Sequence, residues 1–223
     1  MDPRSQTAIV AAVLSTAISI AVLLRPRKQR VHWLFGSFGL AVAAWYTSSS
    51  LLTMLGPESF WWRALNLGFA IMVPIAALHF FRAFAHPQNS QGSWSTRLSH
   101  LVGLGLFGLV VSPYQEHRLV SLGIFLYVFC VLVAALGLLA LAARNVQSRF
   151  ERDRLRYLTF TGAVAATFTL GEYLTYVGLD LPPVGTFLTL LFLYILSQSI
   201  LSRRILDMYE LAGRLSVLTA LSF

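Results

Sequence analysis

The residues of this chain best able to do chemistry are its histidines and a few polar groups set among apolar ones. His79 and His86 are seven residues apart, which places them on the same face of a helix. Together with His32 or His100 they have the side chains to hold a haem iron or a metal ion. Histidine at the end of an apolar segment is more often a hydrogen-bonded interfacial group. We therefore expect no cofactor and no metal, and keep His79 and His86 as the alternative.

Glu172 is the one acidic residue well inside an apolar segment. An ionised carboxylate there costs roughly a few kcal/mol unless it is paired, protonated or hydrated. Thr169 and Tyr176 share its helix face, and Asn66 is predicted at a similar depth in another segment. The functional hypothesis is a ligand site formed by these residues with two tryptophans, namely Glu172, Asn66, Thr169, Tyr176, Trp61 and Trp62. The alternative is a helix–helix hydrogen bond, or snorkelling of the carboxylate to the interface.

Several catalytic classes are excluded by what the chain lacks. Its only lysine, Lys28, lies in a predicted loop, so the Schiff base of a retinal protein cannot form within a membrane helix. Ser37 between two glycines has no histidine in the last two apolar segments to act as a base. No phosphate-binding glycine loop, CxxC or HExxH pattern is present. We predict no catalytic residue.

The elements that must position these residues are long apolar segments. The chain of 223 residues is 57% hydrophobic and 12% charged, about half the charged share of a soluble domain. A helix needs about 20 apolar residues to cross a bilayer. We predict an all-α, polytopic bundle of seven transmembrane helices, whose first partner is the lipid bilayer: residues 7–24, 33–55, 64–85, 98–111, 119–142, 157–177 and 184–201.

The basic residues predict how this bundle is oriented. With seven spans, three of the 17 Lys and Arg residues fall on one side, and these are Arg4, Arg63 and Arg118. The other 14 fall on the opposite side, which is cytoplasmic by the positive-inside rule. The N-terminus is then outside and the C-terminus inside. Segment 98–111 is short, but without it the arginine-rich loop before residue 157 would lie outside. The same rule accounts for the net charge of +8, so we expect no nucleic-acid partner.

Two features suggest how a signal would move through the bundle. Pro74 lies near the middle of the third segment, where it removes a backbone donor and predicts a kink. Beyond residue 201 the pattern becomes amphipathic. We divide the chain into a sensor bundle, residues 1–201, and a cytoplasmic signalling helix or the start of a further span, residues 202–223. The predicted hinge and relay residues are Pro74, Ser197, Gln198, Arg203 and Arg204.

Two stretches of the chain carry a recognisable pattern. Residues 34–85 contain Trp-Trp-Arg-Ala-Leu-Asn-Leu-Gly, followed by Pro74 and His-Phe-Phe. Residues 193–214 run from Tyr-Ile-Leu-Ser-Gln into Arg-Arg-Ile-Leu-Asp-Met-Tyr-Glu-Leu-Ala-Gly-Arg. Both resemble the N-terminal seven-transmembrane sensor region of bacterial membrane histidine kinases, and the resemblance covers about residues 8–214. It implies a receptor-like bundle of the bacterial inner membrane, usually dimeric, that signals through its last helix to a cytoplasmic kinase.

The chain departs from a complete kinase of that family. No histidine is followed by the acidic residue of the phosphoacceptor motif, and no ATP-binding region is present. We therefore expect an input module that responds to a small-molecule or lipid ligand and acts on a kinase or other output. The alternatives are a small transporter or channel, which needs a continuous polar path, and a membrane scaffold subunit.

Overall fold

The computed structural model describes residues 3–25, 29–56, 59–85, 94–172 and 184–201, and these parts are helical. A short 3-10 helix, Pro113–Glu116, separates the fourth and fifth α-helices. The seven α-helices of the described ranges are α1 (Pro3–Leu23), α2 (Arg30–Leu55), α3 (Phe60–Ala85), α4 (Trp94–Val111), α5 (Arg118–Asn145), α6 (Arg149–Glu172) and α7 (Val184–Leu201). The predicted all-α class is confirmed.

Most helices begin before the apolar segment that predicted them. The third predicted segment begins at residue 64, which left Trp61 and Trp62 outside it, but α3 already begins at Phe60 and includes both tryptophans. α6 likewise begins at Arg149, well ahead of the apolar residues that start at 157. Backbone hydrogen bonding continues through polar and charged turns, so a helix extends beyond the part that suits a hydrocarbon core.

Five of the described helices are long and apolar enough to cross a membrane, namely α1, α2, α3, α5 and α7. The apolar part of α4, Thr96–Val111, is shorter. α6 opens with a charged turn, and its predicted span continues past residue 172, outside the described residues. The number of crossings and their orientation stay predictions.

The helices form a ring in which helices consecutive in the chain run antiparallel, whereas α3 and α5, and likewise α7 and α1, run parallel. α1 packs on α2, α2 on α3, α3 on α5, α5 on α6, α6 on α7, and α7 again on α1. α4 lies outside this ring, against α3 and α5.

Because chain direction alternates, most arginines of the described helices lie at one end, here called the arginine-rich end. These are Arg25, Arg30, Arg82, Arg97, Arg144, Arg149, Arg152, Arg154 and Arg156. Arg4, Arg63 and Arg118 lie at the opposite end.

Five buried phenylalanines, here called the phenylalanine cluster, pack where α2, α3 and α7 meet. Within it, Phe35 and Phe80 are in edge-to-face contact at 5.6 Å between ring centres, and Phe81 of α3 meets Phe192 of α7 at 6.1 Å. Such pairs contribute about 0.5–1.5 kcal/mol beyond the area they bury. The cluster therefore fixes α7 against α2 and α3. Its members are Phe35, Phe38, Phe80, Phe81 and Phe192.

Small residues bring α1 and α2 close together. Gly39 lies against the Ser19 hydroxyl, and a Cβ there would collide with that hydroxyl. At the opposite end the Ser5 and Ser50 hydroxyls are 3.4 Å apart. Helix association inside lipid depends on such close approach, because lipid is as apolar as the side chains.

α3 passes through Pro74 without interruption from Phe60 to Ala85. Proline has no N–H, so the carbonyl of Ala70 loses its usual helical donor. Pro74 is fully buried, which keeps this weakened turn inside the bundle. The kink and hinge expected at this residue stay predictions.

Candidate functional site

The end of α7 that leads to residue 202 is held by an arginine of α6. The Nε atom of Arg154 donates to the Ser199 hydroxyl at 2.6 Å, and its Nη2 atom donates to the Ser199 carbonyl. The guanidinium also lies over the Phe84 ring of α3, 5.1 Å from its centre. One side chain thus joins three helices at the arginine-rich end.

A second arginine reaches the same end of α7 from α1. The Nη2 atom of Arg25 donates to the carbonyl of Leu201 at 2.9 Å. Arg25 and Arg154 therefore each bind a backbone carbonyl in the last described turn of α7. We call this set of contacts the α7 anchor.

The Arg154 guanidinium of the anchor is partly buried. Desolvation lowers the pKa of the Arg154 guanidinium, whereas the nearby Glu151 carboxylate raises this pKa. Arginine has so high an unperturbed pKa that it stays protonated through such a shift. The anchor is therefore a permanent cation, and its strength changes through geometry rather than through titration.

The α7 anchor was missed at the level of sequence, where Arg154 counted only as one of many basic loop residues. A signal was present in the helix register. Arg154, Gly162 and Thr169 are eight and seven residues apart, close to whole helical turns. In the structure these three residues all face α7: Gly162 meets Phe192, and Thr169 meets Thr189.

At the opposite end α6 and α7 approach even more closely. A Cβ at Gly185 would lie 2.7 Å from backbone atoms of Phe168 and Thr169. The Thr169 and Thr189 hydroxyls are 2.7 Å apart, and the Thr169 hydroxyl also donates to the Gly185 carbonyl at 3.4 Å. Thr169, a predicted ligand residue, is thus engaged in a helix–helix contact. Glu172 is the last described residue of α6, and its side chain lies outside the described part of the chain, as does Tyr176.

Asn66 is buried, with 4% of its surface exposed, and it joins α3 to α2. Its Nδ2 atom donates to the Ser48 hydroxyl at 3.1 Å and to the Trp45 carbonyl at 3.4 Å. Trp61 is 74% exposed, as expected of an interfacial anchor, and Trp62 is partly buried. The described ligand candidates share the opposite end of the bundle, where Asn66 faces α2 and Thr169 faces α7.

The predicted relay residues fall at the arginine-rich end of α7. The buried Ser197 hydroxyl donates to the Tyr194 carbonyl of its own helix at 2.7 Å, and Gln198 is partly buried. Arg203 and Arg204 lie outside the described residues. Ser197 and Gln198 directly precede Ser199, which the α7 anchor holds.

Two of the predicted histidines meet between helices. His79 of α3 and His100 of α4 place their Nε2 atoms 3.2 Å apart. His32 instead accepts a hydrogen bond at Nδ1 from the backbone N–H of Gln29, at 3.1 Å, at the start of α2. His86 lies outside the described residues. Within the described part of the chain, no cluster of three or more histidine, cysteine or acidic side chains is arranged to hold a metal ion.

No protein-family model matches this chain, and no curated protein or solved structure is significantly similar to it.

Proposed function

We propose that this protein is a sensory input module of a bacterial inner membrane. In this proposal seven helices cross the bilayer, the N-terminus is outside, and α7 relays a stimulus to a cytoplasmic histidine kinase or a similar output. By analogy with sensor regions of that kind, two copies act as a homodimer. The observation that carries the proposal is the α7 anchor, because Arg154 and Arg25 connect the end of α7 to two other helices.

The relay works through a change in helix packing. α7 contacts α6 at both of its ends and meets α3 through the phenylalanine cluster. A stimulus that favours one of two packings shifts their populations, and the anchored end of α7 transmits the shift as rotation or sliding. The proposed ligand region is the opposite end of the bundle, near Glu172, Asn66, Trp61 and Trp62.

The charge distribution supports the proposed orientation. The arginine-rich end carries most of the described arginines, and cytoplasmic loops are the ones enriched in Lys and Arg. Two single-cysteine proteins test this orientation. Cys130, the only native cysteine, is first replaced by alanine, and a cysteine is then introduced at Ser148, between α5 and α6, or at the exposed Tyr114.

A maleimide that cannot cross membranes distinguishes the two positions. We expect the cysteine at position 114 to react in intact spheroplasts, and the one at position 148 to react only after the membrane is opened. Reaction of the cysteine at position 148 in sealed spheroplasts would show that the orientation is the opposite one. It would also exclude the proposed relay, because the end of α7 would then face away from the cytoplasm.

A chimera tests the relay itself. Residues 1–223 are joined to the catalytic part of a histidine kinase whose output drives a reporter gene. Arg154→Leu removes the Arg154 contacts of the α7 anchor, whereas the matched control Arg156→Leu changes an exposed arginine with a distant ion pair to Asp153. We expect Arg154→Leu to change basal reporter output several-fold and Arg156→Leu to leave it within experimental scatter. Equal outputs from correctly inserted variants would contradict a relay through this anchor.

The ligand region needs a separate variant. Glu172→Gln removes the negative charge but keeps the shape of the side chain, so we expect insertion to be preserved and the response of the chimera to membrane composition to change. A response curve identical to that of the parent chimera would remove Glu172 from the proposed site.

A transporter or channel is supported less well. Such a protein needs a continuous polar path, and the phenylalanine cluster occupies the place where α2, α3 and α7 meet. Solute flux into proteoliposomes containing the purified chain, above that of protein-free vesicles, would favour this class instead.

A further inference from the structure

His79 and His100 form a two-imidazole pair between α3 and α4. Their Nε2 atoms are 3.2 Å apart, their ring centres 4.9 Å apart, and the ring planes 71° apart. His100 is exposed and His79 is partly buried. Both lie about six residues from the arginine-rich ends of their helices, or about 9 Å at 1.5 Å per residue. The pair therefore lies toward that end of the bundle.

The ring geometry can be compared with a linear hydrogen bond and with a shared ion. In a linear Nε2–H···Nε2 bond both rings extend along the N···N line, and their centres lie about 5.5 Å apart. Two imidazoles on one tetrahedral metal ion, at about 2.0–2.1 Å each, have nitrogens about 3.3 Å and ring centres about 5.2 Å apart. The observed 3.2 and 4.9 Å are nearer to the second arrangement, because the rings are bent away from the N···N line.

The outer nitrogen of His100 is already held in the way that suits a metal ligand. The Nδ1 atom of His100 lies 2.6 Å from the carbonyl oxygen of Thr96. A carbonyl only accepts, so this nitrogen carries the proton and Nε2 presents its lone pair toward His79. Metal-binding histidines commonly donate their second N–H to a backbone carbonyl in this way, which fixes the ring and its tautomer.

We propose that His79 and His100 bind a divalent transition-metal ion such as Zn²⁺, Ni²⁺ or Cu²⁺ through their Nε2 atoms, and that the ion fastens α4 to α3. Imidazole nitrogen favours these ions over Mg²⁺ and Ca²⁺, which prefer oxygen. The remaining coordination positions are open to water. This site does not depend on the proposed sensory function.

The surrounding charge sets the kind of binding. Arg82 and Arg30 place positive charge near His79, and the Arg82 guanidinium donates to the Thr96 hydroxyl at 3.3 Å. Positive neighbours weaken cation binding, and the two described ligands leave the site open. The site therefore binds and releases its ion with changing metal concentration, unlike a closed four-ligand structural site.

Thermal unfolding of the purified, detergent-solubilised full chain tests the proposal, with Zn²⁺ as the probe. Binding to the folded state alone stabilises it by mass action. At 100 times the dissociation constant we expect Zn²⁺ to raise the midpoint of the 223-residue protein by about 5–10 °C. His117→Gln is the matched control, because His117 is an exposed histidine at the opposite end.

We expect His117→Gln to keep the full Zn²⁺ shift, and His79→Gln and His100→Gln to lose most of it. A wild-type protein that Zn²⁺ does not stabilise, or an equal shift in all four proteins, would overturn the proposal and leave the pair as a hydrogen bond only.

A spectroscopic measurement on the wild-type chain does not rely on variants that fail to fold. One equivalent of Cu²⁺ is added, and pulsed electron paramagnetic resonance counts the coordinated imidazoles. Two imidazoles are expected in the wild type and in His117→Gln. A single imidazole, or none, in the wild-type chain would contradict the shared site whatever the stability of the variants.

Discussion

α7 and α4 are both apolar helices of 18 residues, yet the bundle holds them in opposite ways. α7 belongs to the ring, and its residues Phe192, Leu193 and Leu196 are almost completely buried. α4 lies outside the ring, and its residues Leu101 and Leu104 are 68% and 72% exposed. The first helix is packed among its neighbours, and the second presents a wide apolar surface.

The polar contacts that hold α4 are concentrated toward its arginine-rich end. Tyr127 of α5 donates its hydroxyl to the Ser99 carbonyl at 2.9 Å, next to the histidine pair and the contact between Arg82 and Thr96. Apolar side chains are satisfied by lipid as well as by a protein core, so hydropathy alone does not separate a central helix from a peripheral one. Glycines and polar groups make the distinction, because they bring backbones together and form specific bonds.

The difference between α7 and α4 should be largest when a side chain is introduced at one glycine of each helix. Gly185→Leu in α7 drives a side chain into the α6 backbone, which a Cβ would already meet at 2.7 Å. We expect a loss of about 3 kcal/mol or more, or no folded protein, because backbone atoms cannot rotate away as a side chain does. Gly105→Leu in α4 points into open space and should be tolerated. Thermal unfolding in detergent, with size-exclusion chromatography as the check of folding, measures both.

Removing the Arg154 contacts of the α7 anchor should have the next largest effect. Arg154→Leu eliminates two charge-assisted hydrogen bonds to Ser199 and the contact with Phe84. We expect a loss of about 2 kcal/mol, or roughly 4–8 °C in the unfolding midpoint. Arg156→Leu should cost about 0.5 kcal/mol or less. The Arg156 side chain is 66% exposed, and its Nη1 atom is 4.0 Å from Oδ1 of Asp153. Equal costs would show that Arg154 contributes only charge to this end.

The class of the fold was predictable because each helix needs an apolar stretch of a fixed length. Even α4, which was inferred from loop parity, is present as Trp94–Val111. The beginnings of helices were less predictable. Trp61 and Trp62 lie inside α3, because helix formation depends on backbone hydrogen bonds and continues where hydropathy has already fallen.

The candidate site was less predictable than the fold, since it depends on which helix faces which. Charge counting treats all arginines alike, and only the three-dimensional arrangement singles out Arg154 through Ser199. The sequence placed His79 and His86 on one helix face, and it gave no reason to prefer His32 or His100 as a further metal ligand. The packing of α3 on α4 selects His100, whereas spacing along one helix carries no information about a neighbouring helix.

A smaller effect is expected at the polar contact of α4. Tyr127→Phe removes the hydroxyl that reaches Ser99 across a gap kept open by Gly103, where a Cβ would lie 2.9 Å from that hydroxyl. We expect a loss of about 1 kcal/mol, with faster amide hydrogen exchange confined to α4. Exchange that also rises in α7 would mean that α4 and α7 are coupled more tightly than their contacts suggest.

The smallest effect should come from the hydroxyl pair that joins α6 to α7. Thr169→Val keeps the shape of the side chain and removes the hydrogen bond to Thr189. Interhelical hydrogen bonds within bilayers average about 0.6 kcal/mol, so the unfolding midpoint should fall by about 1–3 °C. Thr167→Val is the matched control, because the exposed Thr167 hydroxyl bonds only to the Ala163 carbonyl of its own helix. If Thr169→Val costs several times more than this, polar bonding rather than the close approach at Gly185 holds that end of α7, and Thr169 acts as a structural contact rather than a ligand residue.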